Sequence, residues 1–177
     1  MEPGLSQVNV ETKGQTQQQQ QQPQSSYNFQ SQVIKVAAVA SGFPLSASSE
    51  DDPSHSVHRA MINYNKVREG ASTWCAAEND TNQWVQVCLI QPKLVTGVAL
   101  QGRQNATQWV TRFKVMYSLD GSTWTNHENG QEFEGSMDQN TVVEVKFKES
   151  FVARSVRIVP IQWHEHISMS FEVYFME

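Results

Sequence analysis

After residue 32 the chain is written in a period of two. Residues 110–117 put Phe113, Val115 and Tyr117 on one face and Arg112, Lys114 and Met116 on the other. Residues 141–147 set Val143, Val145 and Phe147 against Glu144 and Lys146, and residues 168–175 align Met169, Phe171, Val173 and Phe175. Side chains that alternate in this way belong to strands with one face in the core. Further strands are predicted over 33–40, 84–90, 96–100 and 155–160. Residues 118–122 read as a turn, with Asp120-Gly121 its strongest element. No segment carries the 3.6-residue period of a long amphipathic helix. Many short strands at close spacing imply an all-β antiparallel sandwich or barrel. The expected core between its sheets is Phe113, Val115, Tyr117, Val143, Val145, Val156, Ile158, Phe171 and Val173.

The first thirty residues differ in kind. Gln17 to Gln22 is an unbroken glutamine run, followed by Pro23, Gln24, Ser25 and Ser26. Such a segment buries too little apolar surface to offset its ordering entropy. Residues 1–31 are therefore expected to form a disordered Gln-rich tail, and residues 32–177 one domain. The net charge is −5. That argues against a nucleic-acid binder, which needs clustered positive charge, and against simple electrostatic docking on anionic lipid. No apolar run reaches the length of a membrane span. The start, Met1 to Gly14, has neither a basic region nor an apolar one, so no secretory signal peptide is read. The expected location is cytoplasmic, or the cell surface by export without a signal peptide. Cys75 and Cys88 are too few for a disulfide framework. They read as free, half-buried thiols on neighbouring strands, with a bond between them the alternative if the chain is exported. No CxxC, HExxH or P-loop pattern occurs.

Local phrases then follow one another in a recognisable order. Leu45-Ser46-Ala47-Ser48-Ser49-Glu50, Ser72-Thr73-Trp74 and Asn82-Gln83-Trp84-Val85-Gln86-Val87 come first. Gly97-Val98-Ala99-Leu100-Gln101-Gly102-Arg103 and the stretch from Trp109 to Gly121 come next, then Ala153 to Pro160 and Glu172-Val173-Tyr174. In order and spacing this resembles the discoidin, or coagulation factor V/VIII type C, domain family, above all the N-terminal domain of the discoidin lectins. The resemblance implies an eight-stranded distorted jelly-roll β-sandwich with binding loops at one end. It implies a non-enzymatic recognition module, adhesion-related and carbohydrate-binding, for galactose-type glycans or glycoproteins. A peripheral phospholipid-membrane or protein-interaction domain using the same loops is the alternative. In the full discoidin lectins a second, sugar-binding domain follows; the expectation here is the first module alone.

By that pattern the binding loops are residues 50–58, 76–82 and 102–108. The first is acidic and lacks the bulky apolar tips that membrane insertion requires. The other two are rich in Asn, Asp, Gln and Arg, groups suited to the directional hydroxyls of a sugar. The candidate ligand-binding residues are Asp52, His55, Asn79, Asp80, Arg103, Gln108 and Trp109. Alternatives stand beside several of them. Trp109 starts a strand and suits the core, Arg103 suits loop carbonyls, and Asn79 suits a turn.

The resemblance also implies a structural Ca²⁺ site, here at Asn63, Thr73 and Glu172, although no cofactor is required. The family's Asp and Gly are replaced by Asn63 and Tyr64, and one carboxylate fewer weakens a calcium site. Closure of the loop without metal is the other reading. Trp163-His164-Glu165-His166 offers two imidazoles and a carboxylate to zinc, but with no third protein ligand nearby it reads as an exposed turn. No nucleophile–base pair stands out, so no enzyme is expected. Useful adhesion through so shallow a site would call for several copies, and oligomerisation is an open expectation.

Overall fold

The protein is described from a computed structural model, in which the chain divides into the units Met1–Ser31 and Gln32–Glu177. The residues described are Met1, 33–63 and 73–177. The Gln-rich tail lies outside them apart from Met1, as does Tyr64.

Among the described residues of the second unit, nine strands form: β1 (Lys35–Ala37), β2 (Leu45–Ala47), β3 (Trp74–Cys75), β4 (Val85–Gln101), β5 (Trp109–Ser118), β6 (Thr125–Asn126), β7 (Phe133–Glu134), β8 (Val143–His164) and β9 (Ser168–Met176). All strand-to-strand pairings are antiparallel. Short 3-10 turns occupy Pro53–His55 and Val57–Arg59. No helix among the described residues is long and apolar enough to cross a membrane.

The expected strands at 84–90 and 96–100 are one continuous strand, β4. Those at 141–147 and 155–160 are likewise joined in β8. The two long strands run together and bend together. Their pairing passes from Cys88↔Ser155 directly to Lys93↔Ala153, so residues 89–92 form a bulge. Ile90 sits there with φ 66°, a rare conformation for a β-branched residue. A bulge of this kind turns the strand sharply. Before it, β4 lies between β2 and the second half of β8, which continues to β5 and on to β6 and β7. After it, β4 lies between the first half of β8 and β9, with β1 beyond. The pairing thus splits into two layers that share two strands, the jelly-roll sandwich expected.

One buried apolar cluster fills the space between the layers. Phe113, Val115, Val156, Ile158, Phe171 and Val173 lie in it, as the alternation predicts, with Trp74, Leu89 and Phe175. Three expected core residues are only half-buried. Val143 and Val145 stand on the first half of β8, which is the edge of its layer and is covered from one side only. Tyr117 closes the rim of the core by stacking on Phe151 at 4.5 Å. On the outer face, Arg157 is held between the rings of Trp84 and Trp124, its guanidinium carbon 3.8 Å from each ring centre. The turn after β5 forms as read: Asp120 Oδ1 accepts the N–H groups of Ser122 and Thr123, and Gly121 takes φ 82°.

Candidate functional site

Both ends of β4, the start of β5 and the end of β8 meet at one end of the sandwich. The loops 50–58, 76–82 and 102–108 are therefore neighbours there. The turn 164–167 joins them, because Trp109 pairs with His164 across β5 and β8.

Each loop is folded by its own polar side chains. Asp52 caps the turn Pro53–His55, accepting from Ser54 N–H at 2.6 Å and Ser54 Oγ at 2.5 Å, while its Oδ2 lies 3.0 Å from His55 Nδ1. The Ser54 hydroxyl and then His55 hold the Asp52 carboxyl down to about 2. Asp80 Oδ1 accepts from Asn82 N–H at 2.8 Å and Gln83 Nε2 at 2.9 Å, and these bonds, that to the Asn82 amide first, lower its pKa. Arg103 turns its fork back on its own loop, donating from Nε to Asn105 Oδ1 at 3.0 Å and from Nη1 to Gln108 Oε1 at 2.9 Å.

A second set of bonds ties the loops to one another. Asn79 Oδ1 accepts the N–H of Ile167 at 2.9 Å. Thr107 Oγ1 donates to Glu165 Oε2 at 2.8 Å. Gln108 Oε1 also accepts from Ser168 Oγ at 3.1 Å, and Ser168 reaches Cys75 Sγ at 3.2 Å. The backbone N–H of Asp51 donates to Cys75 O. Cys75 is thus the point where first loop, third loop and last turn converge. Burial pushes its thiol above the ordinary range, against the pull of Ser168 and Arg103. Gly102 permits a further approach: a Cβ there would meet Asp138 O at 2.5 Å.

The candidate residues divide accordingly. Asn79, Asp80, Arg103 and Gln108 are braces of the loops as well as their lining. Asp52 is exposed, and His55 is partly buried with its Nε2 unpartnered among the described residues. Trp109 is half-buried and stacks on the exposed His164, ring centres 4.3 Å apart and planes 17° off parallel. Sequence reasoning missed Cys75 and Ser168 as the base of the site and the turn 164–167 as its fourth wall. No local signal marks them, since their partners lie far away in sequence. Cys75 and Cys88 are both free. They do not lie on paired strands, β3 pairing with β9 alone, and Cys75 is fully rather than half buried.

The expected calcium ligands do not fit a cation. Both Glu172 oxygens accept backbone amides, from Val39 at 2.6 Å, Ala40 at 2.9 Å and Val173 at 2.9 Å. Asn63 exchanges two hydrogen bonds with Gln101, and Thr73 is buried and partnered. Glu172 is a buried clasp for the turn after β1, with its pKa raised by burial. The Trp163–His166 segment shows no metal set either. Among the described residues, Asp51, Asp52 and His55 are the only group of three or more His, Cys, Asp or Glu with ligand atoms within 4.8 Å of one another.

Three loops and a turn thus make up this end of the sandwich. Its architecture has known counterparts. The chain is 40% identical to a discoidin-1 polypeptide of Dictyostelium discoideum over 134 residues, 73% of this chain and 53% of that one. Its fold superposes on discoidin II of Dictyostelium discoideum with a TM-score of 0.75 at 28% identity, covering 80% of this chain and 59% of that one. It shares the fold of the family 32 CBM from C. perfringens NanJ, a structure solved in complex with galactose, at a TM-score of 0.63 and 20% identity over 80% and 99% of the two chains. The chain spans about half the length of the curated discoidins it matches. The F5/8 type C domain profile covers residues 44–173, and the chain belongs to that family.

Proposed function

We propose that the loop end recognises a sugar ring without catalysing any reaction on it, and that this module serves adhesion to glycans or glycoproteins. One observation supports the reading most strongly. Three loops and a turn are locked together by their own amides, carboxylates and hydroxyls, while the Asp51 and Asp52 carboxylates and the Trp109–His164 stack remain at the surface. A sugar needs directional acceptors on a rigid frame and a flat face for its C–H surface. Asp52, His55 and Trp109 make up the proposed contact set together with Asn79, Asp80, Arg103 and Gln108, the last four also holding the frame.

The test is a glycan array of the full chain with and without a calcium chelator, beside phosphatidylserine vesicles. Galactose is the first sugar to try. Binding to galactose-type glycans, unchanged by the chelator and weakened at least about tenfold by Asp52→Ala, is expected. Arg103→Ala should abolish the response and Arg103→Lys should restore little of it, because a lysine cannot reproduce the planar fork. Amide spectra must first show both variants folded. Vesicle binding with no glycan response would overturn the reading.

A further inference from the structure

The outer face of the layer formed by β4, the second half of β8 and β5 carries a charge that the loops do not use. Arg157 on β8 is in register with Gln86 on β4 and Met116 on β5, so it rises from the middle of three paired strands. A guanidinium has two flat faces and a rim of N–H donors. Both faces of this one are taken, by the rings of Trp84 and Trp124, whose centres lie 3.8 Å from its carbon. One side of the rim is taken too, since Nε donates to Gln86 Oε1 at 3.0 Å. What remains is the edge made by Nη1 and Nη2. Among the described residues neither nitrogen has a hydrogen-bond partner, and neither is sealed from solvent.

The charge on this edge is uncompensated. Arg157 takes part in none of the ion pairs among the described residues. The carboxylates of Glu132 and Glu134 answer Arg112 and Lys114 instead. Burial lowers the pKa of Arg157, with no carboxylate acting against it. A partly desolvated cation without a counter-ion is unfavourable. The two indoles offset some of that cost through their ring faces, but they leave the Nη donors unused. Trp84 and Trp124 are themselves half-buried, and their indole N–H groups have no partner among the described residues and reach solvent. Buried Trp74 differs, its Nε1 donating to Ser49 O at 2.8 Å. The patch therefore presents donors and positive charge.

We infer that the Arg157 edge binds an oxyanion carried on a sugar ring, either a uronate carboxylate or a sulfate ester. Two parallel N–H···O bonds from Nη1 and Nη2 match two oxygens of either group. The flanking indoles and Gln86 keep the fork from turning, so its ordering is complete before a ligand arrives. The indole rims give the ring C–H groups an apolar border, and their N–H groups are donors for hydroxyls. A neutral sugar lacks the charge, and an inorganic anion lacks the ring. The inference does not depend on the function proposed for the loops.

The test is a titration of the full chain at neutral pH with glucuronate and with glucose 6-sulfate, followed by the indole N–H and arginine Nε resonances. Glucose and inorganic sulfate are the controls. Saturable shifts of Trp84, Trp124 and Arg157 are expected with one or both acidic sugars, the tighter of the two showing which oxyanion is preferred. Both controls should bind at least about tenfold more weakly. Arg157→Lys keeps the charge without the fork and should weaken binding at least about tenfold. Trp124→Leu, at a position outside the strands, provides a second variant. It releases one face of the fork and should weaken binding at least about threefold, with the amide spectrum showing that the fold is kept. Absence of shifts with both acidic sugars, either control binding as tightly as the better acidic sugar, shifts confined to the loop end, or undiminished binding in folded Trp124→Leu would each overturn the assignment.

Discussion

Asp52 shows how a single side chain fixes a loop. Its carboxylate accepts Ser54 N–H and Ser54 Oγ and faces His55, which holds its pKa near 2 against an ordinary value of 3.8. A depressed carboxyl stabilises the fold above its unfolded pKa, and that contribution is lost as pH falls through the folded one. Loop 50–58 should therefore keep its structure at pH 5 and loosen between about pH 4 and pH 2. The Ser54 amide resonance would follow the transition; a midpoint at the ordinary aspartate value would contradict the capping role. Arg103 and Gln108 teach a different lesson. Their residue types are right for a site, and the sequence singles them out for that reason. Their bonds are to Asn105, Ser168 and each other. A partner 60 residues away leaves no trace in local spacing, so the bracing role of Gln108 was not legible.

At the scale of elements, alternation revealed β1, β4, β5, β8 and β9, but neither the short β2, β3, β6 and β7 nor which strands are continuous. Val85, Val87 and Leu89 point into the core before the bend, but Ile90, Gln91 and Pro92 are all exposed and residues 97–101 are all buried, so period two stops at the bend although the strand continues. The sequence around Gln91 and Pro92 reads equally well as a loop between two strands. Which residues are fully buried depends on a neighbour the pattern does not show. Val145 and Val156 look alike in sequence, both apolar on an alternating strand. Val156 has β4 and β5 on its two sides, whereas Val145 has β4 on one side only. Val156→Ala should cost about 1–3 kcal/mol and Val145→Ala below about 1 kcal/mol. Denaturant titration of the two variants separates them, and equal losses would refute the edge position of residues 143–147.

For the molecule as a whole, a loop end in which Asn79, Asp80, Arg103 and Gln108 are already engaged in bracing suits weak binding. A dissociation constant on the order of 0.1–1 mM per site, about 4–5.5 kcal/mol, is expected for a simple sugar. Presentation of several copies on one surface should raise the apparent affinity by roughly 10²–10⁴ without new contacts. Comparing free and immobilised protein on the same glycan measures this directly, and no gain on immobilisation would argue against an adhesive role. The two strands common to both layers have a further consequence. A sandwich whose layers own separate strands can open like a book, one leaf fraying before the other. Here β4 and β8 would have to leave both leaves at once. Hydrogen exchange should therefore find Val87 in one layer and Val98 in the other released by the same global opening, and the domain should melt as a single cooperative event rather than layer by layer.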